Sequence, residues 1–404
     1  MGKNLAAVCV AMTLIGAVPA FAQDGGPSAD NVKVRLGPLM MNPTISISNI
    51  GIDHNVFNVA PEKGPVQDFT FTVAPNTDLW LRVGRTWVTG SINESINWYQ
   101  KYAGERTANN EYKLGWNVPT SFVQLKLNGS YVAARERPGF EIDTRAARKT
   151  IDFNGSVDFQ TLPKTFIGAT ASRTQNRFAD DAQYLGVSLK ESLNRITTAY
   201  GLTARHTLTP LTTISFALSR SRDGFEFSSD RDTVSTSAMA SIALAPAALI
   251  KGGASFGYTD FKPTDPSLPA FKGLVGSGDL TTVVAGATRL ALLLSRQVQF
   301  SYDDKQPYYL QSRIGGSVTQ QLFGPFDIQA RADYSILEYR DRAGAVIEVA
   351  NRTDRKTTYG VGIGFHMGKD LRLSVNADQD NRDTKVVDHQ YEKFLLGSSL
   401  TYGF

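Results

Sequence analysis

The chain carries four histidines, His54, His206, His366 and His389, and one cysteine, Cys9. A metal site needs several such ligands at fixed separations, and no H-x-x-x-H or comparable spacing occurs, so no metal and no cofactor is expected. A hydrolytic nucleophile would need a histidine beside it. The only adjacent acid–histidine pairs are Asp53–His54 and Asp388–His389, and solvated loop positions explain both more simply. No G-x-x-x-x-G-K-[ST] phosphate loop is present, and Gly360, Gly362 and Gly364 suit tight strand packing. The residue types that do chemistry therefore point away from an enzyme.

The charged residues are more informative, because many recur at every second position between apolar ones. Asp152 and Asp158 alternate with Ile151, Phe153, Val157 and Phe159, and Lys126 sits between Leu125 and Leu127. Arg331 and Asp333 alternate with Ala330, Ala332 and Tyr334, and Arg372 and Asp378 share a parity opposite to Leu371, Leu373, Val375 and Ala377. Period two is the signature of strands with one apolar and one polar face. No long segment keeps a helical period, so the class is all-β.

Such alternation suits a soluble sandwich, with its apolar face inward, or an outer-membrane barrel, with its apolar face on lipid. Three features favour the barrel. The strands run about 10 residues or more, as crossing a membrane requires. Aromatics gather near strand ends, at Trp80, Trp87, Trp98, Tyr99, Tyr102, Trp116, Tyr308 and Tyr309, as interfacial girdles do. Turn signals also recur regularly, at Pro75, Pro119, Pro163, Pro210, Pro246 and Pro325, with further turns expected near Leu294–Arg296 and at Gly368-Lys369-Asp370.

Longer polar segments lie between them: Pro138–Arg148, Asn176–Asn194, Asp223–Asp232, Lys262–Gly278 and Ala343–Arg355. Short turns alternating with long loops predict a transmembrane antiparallel up-and-down β-barrel of about 18 strands. Leu79–Tyr102 is long for one strand and contains Gly84-Arg85, which leaves 16 strands as the alternative count.

Composition agrees. The 404 residues are 42% hydrophobic and 20% charged, with 35 Gly and 17 Pro, which excludes a disordered chain and a collagen-like fibre. Mean hydropathy is -0.20. The longest apolar runs, Ala240–Ile250 and Val283–Leu294, are interrupted by Pro246 and Arg289, short of the roughly 20 residues of a spanning helix. Net charge is +4, from 42 basic and 38 acidic residues scattered along the chain, so no nucleic-acid partner is expected.

Lys3, the apolar Leu5–Val18 and Ala20-Phe21-Ala22 read as a signal peptide, residues 1–22, cleaved after Ala22. Cys9 would leave with it, and a mature chain without cysteine has no disulfide. Residues 23–42 are then a periplasmic tail and 43–404 the barrel. That tail is far below the roughly 50 residues of a small folded domain, so no separate plug domain is expected.

The last strand places Phe394, Leu396, Leu400, Tyr402 and Phe404 on one parity. Tyr402 and terminal Phe404 resemble the assembly signal of bacterial outer-membrane barrels, which implies the barrel assembly machinery as a partner. The opening Val32–Pro38, then Pro43–Ile47 and Asp53-His54-Asn55-Val56-Phe57, resembles the β-barrel porin family often encoded near exopolysaccharide genes. Val83-Gly84-Arg85 and Tyr99–Tyr102 look similar too. The resemblance implies a Gram-negative outer membrane, with its lipids as surroundings.

With lipid on the apolar parity, the lumen would carry Asp68, Lys113, Lys126, Asp152, Asp158, Arg313, Arg331, Asp333, Arg372 and Asp378. A water-filled lumen accommodates such charges at far lower cost than a dry core; the alternative is a lumen closed by paired charges and folded-in loops. The expected function is a porin-like channel for passive passage of small polar solutes. The competing reading is an exopolysaccharide export conduit or a non-conducting surface barrel. Lys262–Gly278, stiffened by Pro263, Pro266 and Pro269, is the loop expected to fold inward.

Overall fold

A computed structural model describes residues 26–27, 32–368 and 370–403. The expected signal peptide, Lys369 and Phe404 lie outside the described residues.

Among the described residues, twenty-one strands follow in chain order: β1 (Val34–Leu36), β2 (Leu39–Asp53), β3 (Asp68–Val83), β4 (Thr86–Tyr99), β5 (Thr107–Pro119), β6 (Val123–Glu136) and β7 (Ala146–Leu162). Next come β8 (Thr165–Phe178), β9 (Gln183–Tyr184), β10 (Val187–Ser188), β11 (Arg195–Thr209), β12 (Thr212–Phe225), β13 (Thr233–Leu244) and β14 (Ile250–Pro263). The series ends with β15 (Phe271–Val284), β16 (Thr288–Phe300), β17 (Tyr308–Gln321), β18 (Phe326–Arg340), β19 (Thr353–Met367), β20 (Leu371–Asp383) and β21 (Tyr391–Tyr402).

Three strands are short: β1 pairs with the start of β2, and β9–β10 form a small hairpin beside α1 (Leu189–Leu193). The other 18 pair antiparallel with their neighbours, and β21 pairs back onto β2, which closes the barrel. Closure leaves no open sheet edge, the requirement for a sheet in lipid. Even the shortest of these strands, 12 residues in β13 and β21, crosses roughly 30 Å of hydrocarbon at about 3.4 Å per residue and a 45° tilt. Among the described residues no helix is long and apolar enough to cross a membrane.

The apolar parity faces outward. Phe153, Leu202, Phe216 and Phe256 are 62–71% exposed, as a lipid-facing band should be. Small polar side chains hold the opposite face, where Ser237 bonds Thr259 and Ser255 bonds Ser277 across strands.

Six of the eight expected turns fall where the residues place them, and two move. Pro75 lies inside β3, opposite Ile45 of β2. On its other side the ladder with β4 runs to Val73–Ile96 and resumes in the same register at Asn76–Asn93, so the missing proline N–H sits in a gap between rungs. The turn is at Gly84-Arg85, and the break seen there separates two complete strands rather than reducing the count to 16. Leu294–Arg296 lies mid-strand in β16. The chain reverses at Ala285-Gly286 instead, with both residues at positive φ, 49° and 69°. Ala285 and Gly286 take the conformation of a type I′ turn, closed by the Ala287 N–H on the Val284 carbonyl at 3.2 Å and made here without Asn or Pro.

At the opposite end the long connections gather, and the buried side chains gather with them. One apolar cluster joins Ile142, Ala146, Phe178, Ala182, Tyr184, Leu189, Leu193 and Tyr302. Tyr99, Tyr308 and Tyr309 are buried inside this end and belong to no girdle, whereas Trp98 and Trp116 do face outward.

Candidate functional site

The segment 137–145, which joins β6 to β7, turns into the barrel mouth. Of Lys262–Gly278, the first and last parts are strands β14 and β15, and only residues 264–270 form a loop, which buries Leu268 beside Phe261, Phe300 and Tyr308 and pairs Asp265 with Arg342. What marks residues 137–145 is the number of charges they carry into the mouth. Residues 137–145 carry Arg137, Glu141, Asp143 and Arg145, and each finds partners from across the mouth.

Glu141 is 2% exposed. One carboxylate oxygen accepts from Ser301 Oγ at 2.6 Å and the other from the Tyr302 backbone N–H at 3.2 Å. Arg382, on β20, donates to the Glu141 carbonyl at 2.7 Å, to Asp143 at 2.5 Å and to Asp354 at 2.6 Å. Arg137 donates to the Val56 carbonyl at 2.7 Å, and Arg145 pairs with Glu105 at 2.7 Å. Asn58 donates to the other Asp143 oxygen. Four separate segments, around Val56, Glu105, Ser301 and Arg382, thus converge on one loop. Removing a partner would strand buried charge, which costs several kcal/mol.

His389 completes the network. Its Nδ1 lies 2.9 Å from Arg352 and its Nε2 is 3.1 Å from the Tyr302 hydroxyl, so the residue is buried and not solvated as its loop position suggested. His54 is the exposed one of the pair. Burial, with Arg352 and Arg382 adding to it, pushes His389 down to about 3. Burial pushes Glu141 up to about 7, against the Ser301 hydrogen bond and the same two arginines. Both groups are therefore held neutral near pH 6, amid paired arginines and aspartates.

Below this layer lies the inner wall. All ten charges expected there occupy the inward parity, but in three different situations. Lys113 stays half-exposed beside Glu111, and Asp152 accepts from Thr174 at 2.5 Å. Lys126 shares its face with Asp158. Asp68 is 1% exposed, its carboxylate taken by the backbone N–H groups of Lys101 and Tyr102.

The rest pair across the wall. Arg313 meets Asp333 at 2.6 Å and carries the Phe140 ring, from the inserted loop, over its guanidinium. Arg331 pairs with Asp378, Asp158 with Arg205, and Arg372 with Asp327, which also accepts from His366 at 2.7 Å. Sequence reading missed Arg205 and Asp327 because neither partner is near the other in the chain.

Three of these pairs skip a strand. Arg331 on β18 and Asp378 on β20 both lie opposite Gly360 of β19. A Cβ at Gly360 would fall on the Asp378 carboxylate, so the glycine is the space through which the pair meets. Gly168 and Gly364 serve Asp158–Arg205 and Asp327–Arg372 in the same way. Glycines that read as tight strand packing instead clear the floor beneath inward ion pairs.

A closed 18-strand barrel with an apolar exterior, a polar inner wall and a loop folded into its mouth is the architecture of an outer-membrane channel protein. The chain belongs to the family described as "Putative beta-barrel porin 2", whose model matches residues 27–403, and it is an outer-membrane protein. No curated protein sequence matches it.

Solved structures similar to it include a BenF-like porin from Pseudomonas fluorescens Pf-5, with TM-score 0.48, 11% identity and coverage of 91% of this chain and 98% of that one. OccK2 (OpdF) from Pseudomonas aeruginosa gives 0.47 at 9% identity, covering 90% and 97%. The outer membrane protein opdK from Pseudomonas aeruginosa gives 0.44 at 10% identity, covering 90% and 98%.

Proposed function

We propose that this barrel is a passive channel for small polar solutes, narrowed at its loop end by residues 137–145. The observation that carries this reading is the contrast along the axis: a small-residue polar wall through the membrane, then one loop braced across the mouth by buried ion pairs. Lys113, Lys126, Asp152, Asp158, Arg313, Arg331, Asp333 and Asp378 line the proposed path, and their mixed signs favour polar solutes over ions of one charge. Asp68 and Arg372 brace the wall at its two ends. The proposal includes export by the signal peptide cleaved after Ala22, and no catalytic step.

A polysaccharide conduit needs a run of exposed aromatic faces for sugar stacking. The inward tyrosines Tyr184, Tyr302, Tyr309, Tyr339 and Tyr391 are instead buried within the mouth, which supports the small-solute reading. Reconstitution into liposomes tests it. Swelling is expected with small sugars and amino acids and not with long oligosaccharides. Equal rates for both would support the conduit, and no swelling with either would remove the channel.

A further inference from the structure

The outward face is not uniform around the barrel. On β7 to β14 one cross-strand row reads Val157, Ala169, Leu202, Leu218, Ala238 and Tyr258, all apolar. Two residues nearer the loop end the next row reads Gly155, Ala171, Tyr200, Arg220, Thr236, Asp260 and, on β15, Lys272. The row above that reads Phe153, Arg173, Thr198, Arg222, Val234 and Lys262. Lys149 and Arg177 face each other two rows further up, beyond Ile151 and Gln175. The apolar band thus gives way abruptly to cations, and Asp260 is the one carboxylate in those two rows.

Most of these cations keep their heads in the open: Arg222 is 73% exposed and Lys262 60%. Arg173 and Arg220 have no carboxylate partner among the described residues. Across the barrel at similar height the signs balance, with Arg296, Arg340 and Arg355 against Glu338, Asp383 and Glu392.

Below the cations lies a groove of about 780 Å³ in the outer surface. Gly155, Ala169 and Ala171 form its floor, with Leu125 and Leu127 on one side, Leu202 and Leu218 on the other, and Arg220 at its upper rim. An apolar trough bordered by Arg173 and Arg220, which lack a carboxylate partner among the described residues, and by the exposed Arg222, which also reaches Asp232 at 3.6 Å, at the level where hydrocarbon meets headgroups, matches a lipid with acyl chains and phosphate on its head.

We propose that this face of β7 to β15 binds a phosphorylated, multiply acylated lipid of the outer leaflet. Arg173, Arg220 and Arg222 take its phosphates, and the groove takes an acyl chain. The occupant is a lipid and not a free anion, because the cations border an apolar groove on the membrane face.

Native mass spectrometry of the full-length barrel in detergent tests this, with bis-phosphorylated lipid A and its phosphate-free counterpart as probes. The wild type is expected to hold the phosphorylated lipid. Arg173→Gln/Arg220→Gln/Arg222→Gln is expected to weaken binding roughly ten-fold or more, while Arg296→Gln/Arg340→Gln/Arg355→Gln binds like wild type. Heat-modifiable gel mobility checks that each barrel is assembled. Undiminished binding by the first variant, equal loss in the second, or equal binding of the phosphate-free lipid would overturn the proposal. So would full displacement by millimolar inorganic phosphate, which would mark a free-anion site.

Discussion

Glu141 and His389 titrate in opposite senses, and the signs can be worked out. Glu141 is raised from 4.5 to about 7, so its contribution to loop seating is present at low pH and lost as pH rises through about 7. His389 is lowered from 6.5 to about 3, so its contribution is present above 6.5 and lost as pH falls toward 3. Between 4.5 and 6.5 the seated loop holds its proton on Glu141 and the released loop holds one on His389, so wild-type seating is flat there. Glu141→Gln should make seating weaken as pH falls below 6.5, and His389→Gln should make it weaken as pH rises from 4.5 toward 7. Hydrogen exchange of residues 138–143, corrected for intrinsic rates, reads both; identical profiles in the three proteins would refute the compensation. None of this was legible beforehand, because Glu141 and His389 are far apart in the chain and loop histidines are usually solvated.

At the level of elements, period-two alternation located the strands because lipid and lumen demand opposite residues on the two faces of each one. Proline marked five of the turns, but a proline at a sixth position and an alanine-built turn broke the pattern. Pro75 is tolerated in a ladder gap, and Ala285 adopts a positive φ normally left to Gly or Asn. Ala285→Gly should therefore stabilise the β15–β16 hairpin by about 1 kcal/mol, since the left-handed conformation strains a Cβ; an unchanged or lower urea midpoint for refolding into vesicles would count against it. The inward glycines make a second test. Gly360→Ala should cost roughly 1–3 kcal/mol by forcing Asp378 off Arg331, whereas Gly286→Ala, which meets nothing within 4 Å, should cost only its positive-φ strain. If Gly360→Ala unfolds at the wild-type urea concentration, the strand-skipping pair needs no such space.

For the whole molecule, closure by β2 and β21 converts an alternating sequence into a tube with a polar interior. That much followed from strand length, parity and turn rhythm. The role of residues 137–145 did not, because proline content and an apolar tip drew the reading to Lys262–Gly278, whereas the seating of residues 137–145 depends on distant partners for its charges. Arg382 supplies two of those hydrogen bonds, to the Glu141 carbonyl and to Asp143, from a strand more than two hundred positions away. The mouth is thus built from long-range pairing that no local pattern encodes, while the wall is built from local alternation.

Single-channel recording in planar bilayers tests the claim that residues 137–145 narrow an otherwise open barrel. The wild type should conduct in small steps. A variant with Gly139-Phe140-Glu141-Ile142 replaced by Gly-Ser-Gly-Ser should conduct in distinctly larger ones, with assembly confirmed by heat-modifiable mobility. Equal step sizes in the two proteins, or silence in both, would contradict it.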